Sequence, residues 1–254
     1  GGVRWGAGAG MFPFDALLLR RLHPDRCHDV QFDLLEILER EGVLLINRPS
    51  AVSLAESKLQ TTALLARAGV PVPRTVLAQE PGEAQEALRA FGQAVLKPVY
   101  GALGNDVVRA DASAERGWLA ERLRAHGGLY VQEYIPGGES DIRALVVGDR
   151  VLAAMRRIPA PGEWRANIQR GAKGVPVRLS PAVERLAVRA ARVLGLDYTG
   201  VDLIRSERGP LVIELNGAPG WQGLEAATGC DVPGALIDYT LGCLRGREVR
   251  QRAA

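Results

Sequence analysis

The chain has 254 residues, of which 47% are hydrophobic and 24% charged. That is the balance of a soluble globular protein with room for one large domain or two smaller ones. A net charge of +3, dispersed along the chain, leaves no footprint for nucleic acid. The longest apolar runs, such as 43–46 and 144–147, have strand length and cannot span a membrane. No signal peptide is recognisable, so a cytoplasmic enzyme is the default expectation. Cys27, Cys230 and Cys243 form no CxxC pair and read as reduced thiols. Only three of the 32 basic residues are lysine, namely Lys58, Lys97 and Lys173. Where arginine has been used almost everywhere, a retained lysine marks a place for a compact ammonium charge or a chance survivor.

The opening decapeptide, GGVRWGAGAG, lacks a strand before it and a helix pattern close after it. It reads as an irregular or truncated start rather than a phosphate loop. Asp29 is expected to cap a helix through Arg40 with Phe32, Leu34, Leu35 and Leu38 as its apolar positions, ended by Gly42. Residues 43–47 read as a short buried strand, and 54–68 as one helix stopped by Gly69 and VPVP. A domain boundary falls between 50 and 70. Beyond it, strands are expected at 75–78, 94–97, 106–109 and 129–135. Helices are expected at 81–90 and 113–126, and a glycine-bearing loop at 100–105. Strands 141–147 and 150–157 flank a Gly-Asp turn suited to a hairpin. A long loop with Trp164 follows, then a helix over 181–194 capped by Ser180. A second hairpin (198–205 and 210–216) and two short helices close the chain.

Four stretches carry chemistry. Glu214 and Asn216 are two apart on a strand and leave it on one face, and Asp202 on the preceding strand can lie alongside. This oxygen-only set suits magnesium and not a typical zinc site. Glu214 lies within the apolar run PLVIELN, where an unpaired carboxylate is costly to bury. A shared divalent cation relieves that cost, and so would an ion pair with nearby arginines. In AVLKPVYGALGNDV, Lys97 ends a strand ahead of Gly101 and Gly104, whose backbone can approach phosphate, although no Walker sequence follows. In LYVQEYIPGG, a strand leaves the core through Gln132, Glu133, Tyr134 and Ile135. Its edge could pair with an adenine ring or simply be a strand end. Around Asn167, the cations Arg156, Arg157, Arg165, Arg170 and Lys173 face a single acid, Glu163. They could hold phosphates or a substrate carboxylate, or form a solvated basic loop. His23, Cys27 and His28 lack a fourth metal ligand, and no G-x-S-x-G elbow exists.

In this order, SKLQTTALLARAGVPVP, VLKPVYGALGNDV, VQEYIPGGESDIRALVVGDRVLAAMRR, WRANIQRGAKG and YTGVDLIRSERGPLVIELNGAPGWQGLE together resemble the ATP-grasp superfamily. Within it they resemble the RimK-like glutamate ligases. The likeness implies an α+β fold in which two subdomains sandwich ATP. Residues 56–136 would be the smaller clamping subdomain and 137–254 the metal-binding one. Residues 1–55 would be the remnant of an amino-terminal pre-ATP-grasp α/β domain, with part of that domain and its substrate contacts missing.

It implies that Lys58 and Lys97 reach the phosphates beneath the Gly101–Asn105 loop. Gln132, Glu133, Tyr134 and Ile135 would border the adenine, and Asp141 would approach the ribose. Arg143 and Asn167 would lie at the nucleotide, with Arg157, Arg165 and Arg170 acting in catalysis. Asp202, Glu214 and Asn216 would hold magnesium, or manganese in its place. Ala166 stands where the family's loop often has a polar residue, and Lys173 takes no assigned role. The implied chemistry is attack of a carboxylate on the ATP γ-phosphate, followed by displacement of phosphate by an amine.

The amine donor would be glutamate or a similar amino acid. The acceptor would be a protein C-terminus, a carrier protein or a small cofactor. A regulatory nucleotide-binding module and a small-molecule kinase are the competing readings. No nucleic-acid or membrane partner is expected. Association into a homo-oligomer stays open, because core packing accounts equally well for the apolar stripes of 181–194 and 231–244.

Overall fold

The protein's computed structural model describes residues 14–23, 25–100, 106–136 and 140–253, with side chains to 247. The opening decapeptide, Gly101 and Gly104 lie outside the described residues. Strand β1 (Ala16–Leu18), helix α1 (His28–Arg40) and strand β2 (Leu44–Ile46) come first, with β1 and β2 paired in parallel. Phe32, Leu35 and Leu38 of α1 pack with Leu17, Leu19, Val43, Leu45 and Val52. The helix begins two residues earlier than expected, so Cys27 occupies the cap position and Asp29 lies in the first turn. There the carboxylate still complements the helix dipole.

The single helix expected over 54–68 is two: α2 (Pro49–Glu56) and α3 (Lys58–Arg67). Pro49 fits the first turn of α2. Ser57, in extended conformation between them, accepts the Gln60 N–H on its hydroxyl at 3.3 Å and caps α3. The consequence is positional, because Lys58 becomes the first residue of a helix, and its N–H bonds to the Val99 carbonyl at 3.3 Å.

A four-stranded antiparallel sheet follows. Its elements are β3 (Thr75–Ala78), α4 (Pro81–Phe91), β4 (Gln93–Pro98), β5 (Val108–Asp111), α5 (Arg116–His126) and β6 (Leu129–Glu133). The spatial order is β3-β6-β4-β5. Ala94 and Leu96 of β4, with Leu129 and Val131 of β6, pack against Ala84, Ala87 and Leu88 of α4 and Leu119 and Leu123 of α5. Side chains alternate along a strand, so Lys97, Tyr130 and Gln132 fall on the opposite face, away from α4 and α5.

The larger unit holds β7 (Asp141–Val147), β8 (Arg150–Ile158), β9 (Lys173–Pro176), α6 (Pro181–Leu194), β10 (Tyr198–Ser206) and β11 (Gly209–Asn216). Its antiparallel sheet runs β11-β10-β7-β8-β9. One face, including Ala144, Val146, Val201 and Leu203, is covered by Ala187, Ala190, Ala191 and Leu194 of α6. The other is apolar at one end. There Leu145, Val147, Met155 and Tyr198 meet Trp221, Leu224 of α7 (Gln222–Thr228), and Val232 and Leu236 of α8 (Val232–Ala253).

The turn between β7 and β8 needs glycine. Gly148 has φ +61°, and a Cβ there would lie 2.6 Å from the Tyr239 ring of α8. Strand β9 was read as loop, because KGVP has no apolar run, and its only described strand partner is β8. Helix α8 has 22 residues and is not short. Among the described residues no helix is long and apolar enough to cross a membrane.

Candidate active site

The other end of that second sheet face is charged. On β7, Asp141 and Arg143 share the parity of Leu145 and Val147, and Asp202 on β10 lies opposite Arg143. Arg157 on β8 lies opposite Asp141. The four form one connected network. Arg157 donates to both Asp141 oxygens, at 2.6 and 2.5 Å, and also to Asp202 at 2.7 Å. Arg143 forks onto Asp202 with two bonds of 2.6 Å. Asp141, Arg157 and Asp202 are all buried. Burial alone would raise the Asp202 pKa, but the two guanidiniums more than offset it and hold the carboxyl below its ordinary value. Burial raises Asp141, with Arg157 opposing the shift. Burial would lower Arg157, and Asp202 and Asp141 drive it up instead. Two acids and two guanidiniums so buried are stable only as a mutually paired set.

Next to this network lies a more open corner. Glu214 on β11 is the cross-strand partner of Asp202, and Asn216 that of Gly200. Glu214 is half-buried, so the expectation of a carboxylate deep in an apolar run applies to Asp202 instead. The reason is that β11 is the sheet's edge strand. Lys58, at the start of α3, sits 3.7 Å from Glu214. Lys97, on the face of the other sheet away from α4 and α5, donates to the neutral Gln132 carbonyl at 2.8 Å and lies 5.8 Å from the Tyr130 ring centre. Gln132 in turn donates to the Tyr130 hydroxyl at 3.0 Å. Burial lowers the Lys97 pKa to about 8; Glu214 opposes that shift and Lys58 adds to it. Both sheets therefore contribute charge to one place.

Asp202, Glu214 and Asn216 fit a hard cation. Asp202 accepts three N–H bonds, and a carboxylate has about four lone-pair sites, so Oδ1 retains capacity. The Asn216 amide nitrogen is spent on the Gly200 carbonyl at 3.2 Å, which leaves its oxygen as the donor atom. The alternative of arginine ion pairs also holds for Asp202; the structure places both possibilities on one carboxylate.

The loop between β8 and β9 leans onto the four-stranded unit. Arg109 of β5 lies 4.5 Å from the Tyr134 ring centre and 4.4 Å from that of Trp164. Arg165 donates to the Val107 carbonyl at 3.3 Å and to Glu163 at 2.9 and 2.7 Å, and Arg170 reaches Glu163 at 3.9 Å. Asn167 caps the single 3-10 turn Ile168–Arg170 through its carbonyl, which accepts the Arg170 N–H at 2.9 Å. Lys173 stands on β9, exposed and away from these groups. Ile135 is buried. Glu133 is tied to Arg74 and Arg208, on the opposite face of β6 from Gln132.

Sequence reasoning passed over Tyr130, Thr62, Arg74, Arg109 and Arg208. Tyr130 was within reach, since it shares the parity of Gln132 in LYVQE; its hydroxyl also bonds Thr62 at 2.5 Å. The arginines carried no local signal.

The family model for the RimK-like ATP-grasp domain matches residues 55–240, which contain both sheets and all these groups. The chain belongs to the RimK-like ATP-grasp family. A probable alpha-L-glutamate ligase 2 of Hahella chejuensis is 42% identical over 210 residues, covering 81% of this chain and 69% of that protein. A probable alpha-L-glutamate ligase of Legionella pneumophila (strain Corby) is 39% identical over 210 residues, covering 81% and 70%. Among solved structures, the ATP-grasp ligase PsnB complexed with minimal precursor superposes with a TM-score of 0.73 at 27% identity, covering 90% of this chain and 78% of that one. A RimK domain protein from Sphaerobacter thermophilus shares the fold at 20% identity and TM-score 0.68. This RimK-like chain is an ATP-dependent ligase that forms amide bonds.

Proposed function

We propose that the protein adds L-glutamate, or a similar amino acid, to a carboxylate of a peptide or protein acceptor by way of an acyl-phosphate. The observation that carries this reading is the facing of Lys58 and Lys97 toward Glu214, Asp202 and Asn216. These groups come from separate elements, and between them they would hold phosphates and a divalent cation. The relatives' names speak for glutamate. PsnB, whose structures include a precursor peptide and Mg with ADP, speaks for a peptide acceptor.

In this reading residues 56–136 clamp the nucleotide and 137–254 supply the cation ligands. Gln132, Tyr134 and Ile135 border the base. Lys58 and Lys97 neutralise the phosphates. Asp202, Glu214 and Asn216 would hold magnesium, or manganese in its place, which lowers the charge cost at the transferring phosphoryl group. Arg157 and Arg143 are held in place by Asp141 and Asp202, so they meet developing negative charge without reorganising. Arg165, Asn167 and Arg170 close over the nucleotide from the loop between β8 and β9.

An acceptor carboxylate oxygen attacks the γ-phosphorus and ADP leaves. The glutamate nitrogen then attacks the acyl carbon, and phosphate departs. Positioning and charge suffice, so no protein nucleophile is called for.

The test is incubation with ATP, magnesium and labelled glutamate in host extract separated into protein and low-mass fractions. Label in the protein fraction supports the reading. Label in small molecules makes the acceptor a cofactor. ADP release without any label rules out glutamate as the amine.

A further inference from the structure

The chain crosses into the four-stranded unit through residues 68–74 and leaves it after Glu133. Both crossings meet at the Glu133 carboxylate. This side chain is only 6% exposed yet lies on the face of β6 opposite Gln132 and Lys97, by strand alternation. It accepts the Arg74 backbone N–H at 2.9 Å and the Arg74 guanidinium at 2.6 Å, while the Glu133 N–H donates to the Arg74 carbonyl at 2.9 Å. Arg74 also stacks on Phe91 of α4, 4.8 Å from its ring centre. The third donor is Arg208, which comes from the other sheet, at the tip of the β10–β11 hairpin.

That tip is braced. The Ser206 hydroxyl donates to the Gly209 carbonyl at 2.7 Å and accepts the Arg208 N–H at 3.2 Å. The same hairpin grips the entering crossing, with the Val212 N–H on the Pro71 carbonyl at 2.8 Å. Arg189 of α6 bonds the Ala68 carbonyl beside it. One hairpin thus bears Asp202, Glu214 and Asn216 along its strands and Arg208 at its end. An exposed ion pair would contribute little. Here the carboxylate is buried and takes three donors, two from a chain crossing and one from the opposing sheet.

We propose that Arg208, Glu133 and Arg74 form the pivot that sets the angle between the nucleotide-clamping sheet and the cation-bearing hairpin. Glu133 and Arg208 are then positioning residues and not nucleotide ligands. The proposal rests on the ligase reading above.

The experiment is calorimetric titration of the protein with ADP and magnesium, alongside steady-state kinetics in ATP, for Arg208→Ala, Arg208→Lys and Glu133→Gln. Arg208→Ala is expected to weaken ADP binding and raise the KM for ATP about five- to tenfold, a modest coupling between separate sites. The kcat at saturating ATP should be retained. Arg208→Lys should recover most of the affinity. Combining Arg208→Ala with Glu133→Gln should cost no more than either alone, because the two report one interaction. Native-like ADP binding by Arg208→Ala would overturn the pivot and leave the ligase reading standing. A loss that falls equally on kcat and thermal midpoint, without rescue by lysine, would reduce the contact to fold stability and overturn it too. Failure of the unaltered protein to bind ADP would remove the nucleotide reading and the pivot together.

Discussion

Two charged regions share one face of the five-stranded sheet and are built in opposite ways. The Asp141–Arg157–Asp202–Arg143 network is mostly buried and joined by bidentate bonds, with only Asp202 Oδ1 keeping spare capacity. The neighbouring corner of Lys58, Lys97 and Glu214 is looser. There Lys58 lies 3.7 Å from Glu214, and Lys97 leans on a neutral amide. A preformed network adds rigidity and aims its guanidiniums. A corner that gathers lysine and carboxylate charge from separate elements is where an added polyanion and cation gain most. The comparison teaches that the protein divides the tasks of holding shape and holding ligand between adjacent strands, with Asp202 shared by both.

Breaking the open corner should cost catalysis and spare the fold. Glu214→Ala is expected to lower ADP release on the order of a thousandfold, since a cation site supplies several kcal/mol and each 1.36 kcal/mol is tenfold. Its thermal midpoint should stay near that of the native protein. Undiminished turnover would remove Glu214 from the cation set.

Breaking the closed network should cost the fold as well as catalysis, and stability should go first. Arg157→Ala strips both Asp141 and Asp202 of a partner in a buried setting, with an expected cost of about 3–5 kcal/mol in urea unfolding. A loss below about 1 kcal/mol would mean that water reaches these acids and that the network is not closed.

The corner can also be sharpened by pH. Lys97 has a native pKa near 8, below the ordinary lysine value of about 10.4. Between those values the unfolded chain binds more protons, so stability should rise with pH across that window. Phosphate binding selects the protonated lysine. ADP affinity should therefore fall as pH rises through about 8, by up to about tenfold per pH unit. Lys97→Arg, charged throughout, should flatten the profile; an unchanged slope in that variant would assign the titration to another group. The smallest effect belongs to the residue that sets Lys58 on its helix. Ser57→Ala removes the cap of α3 and should cost about 1 kcal/mol by thermal denaturation.

The order of the motifs and the two-residue spacing of Glu214 and Asn216 were legible because strand alternation is a local property. Helix α6 and its Ser180 cap were legible for the same reason, since Pro181 and the apolar stripe lie within a few residues of each other. The break at Ser57 was hidden, because a serine inside an apolar helical pattern reads as helix until its side chain is seen to cap the next turn. Strand β9 was hidden because pairing with β8, not composition, makes it a strand.

By itself, then, the sequence determined the family, the sheet-bearing segments and the acidic residues that point from one face of a hairpin. Only the tertiary structure decided that Asp202 is already held by two arginines and that Lys58 and Lys97 converge from different elements. It alone turned Glu133 away from Gln132 toward Arg74 and Arg208. Local patterns state which side of a strand a group leaves. Which partner meets it there depends on chain segments 59 to 75 residues distant, and on the cost of burying a charge that fails to find one.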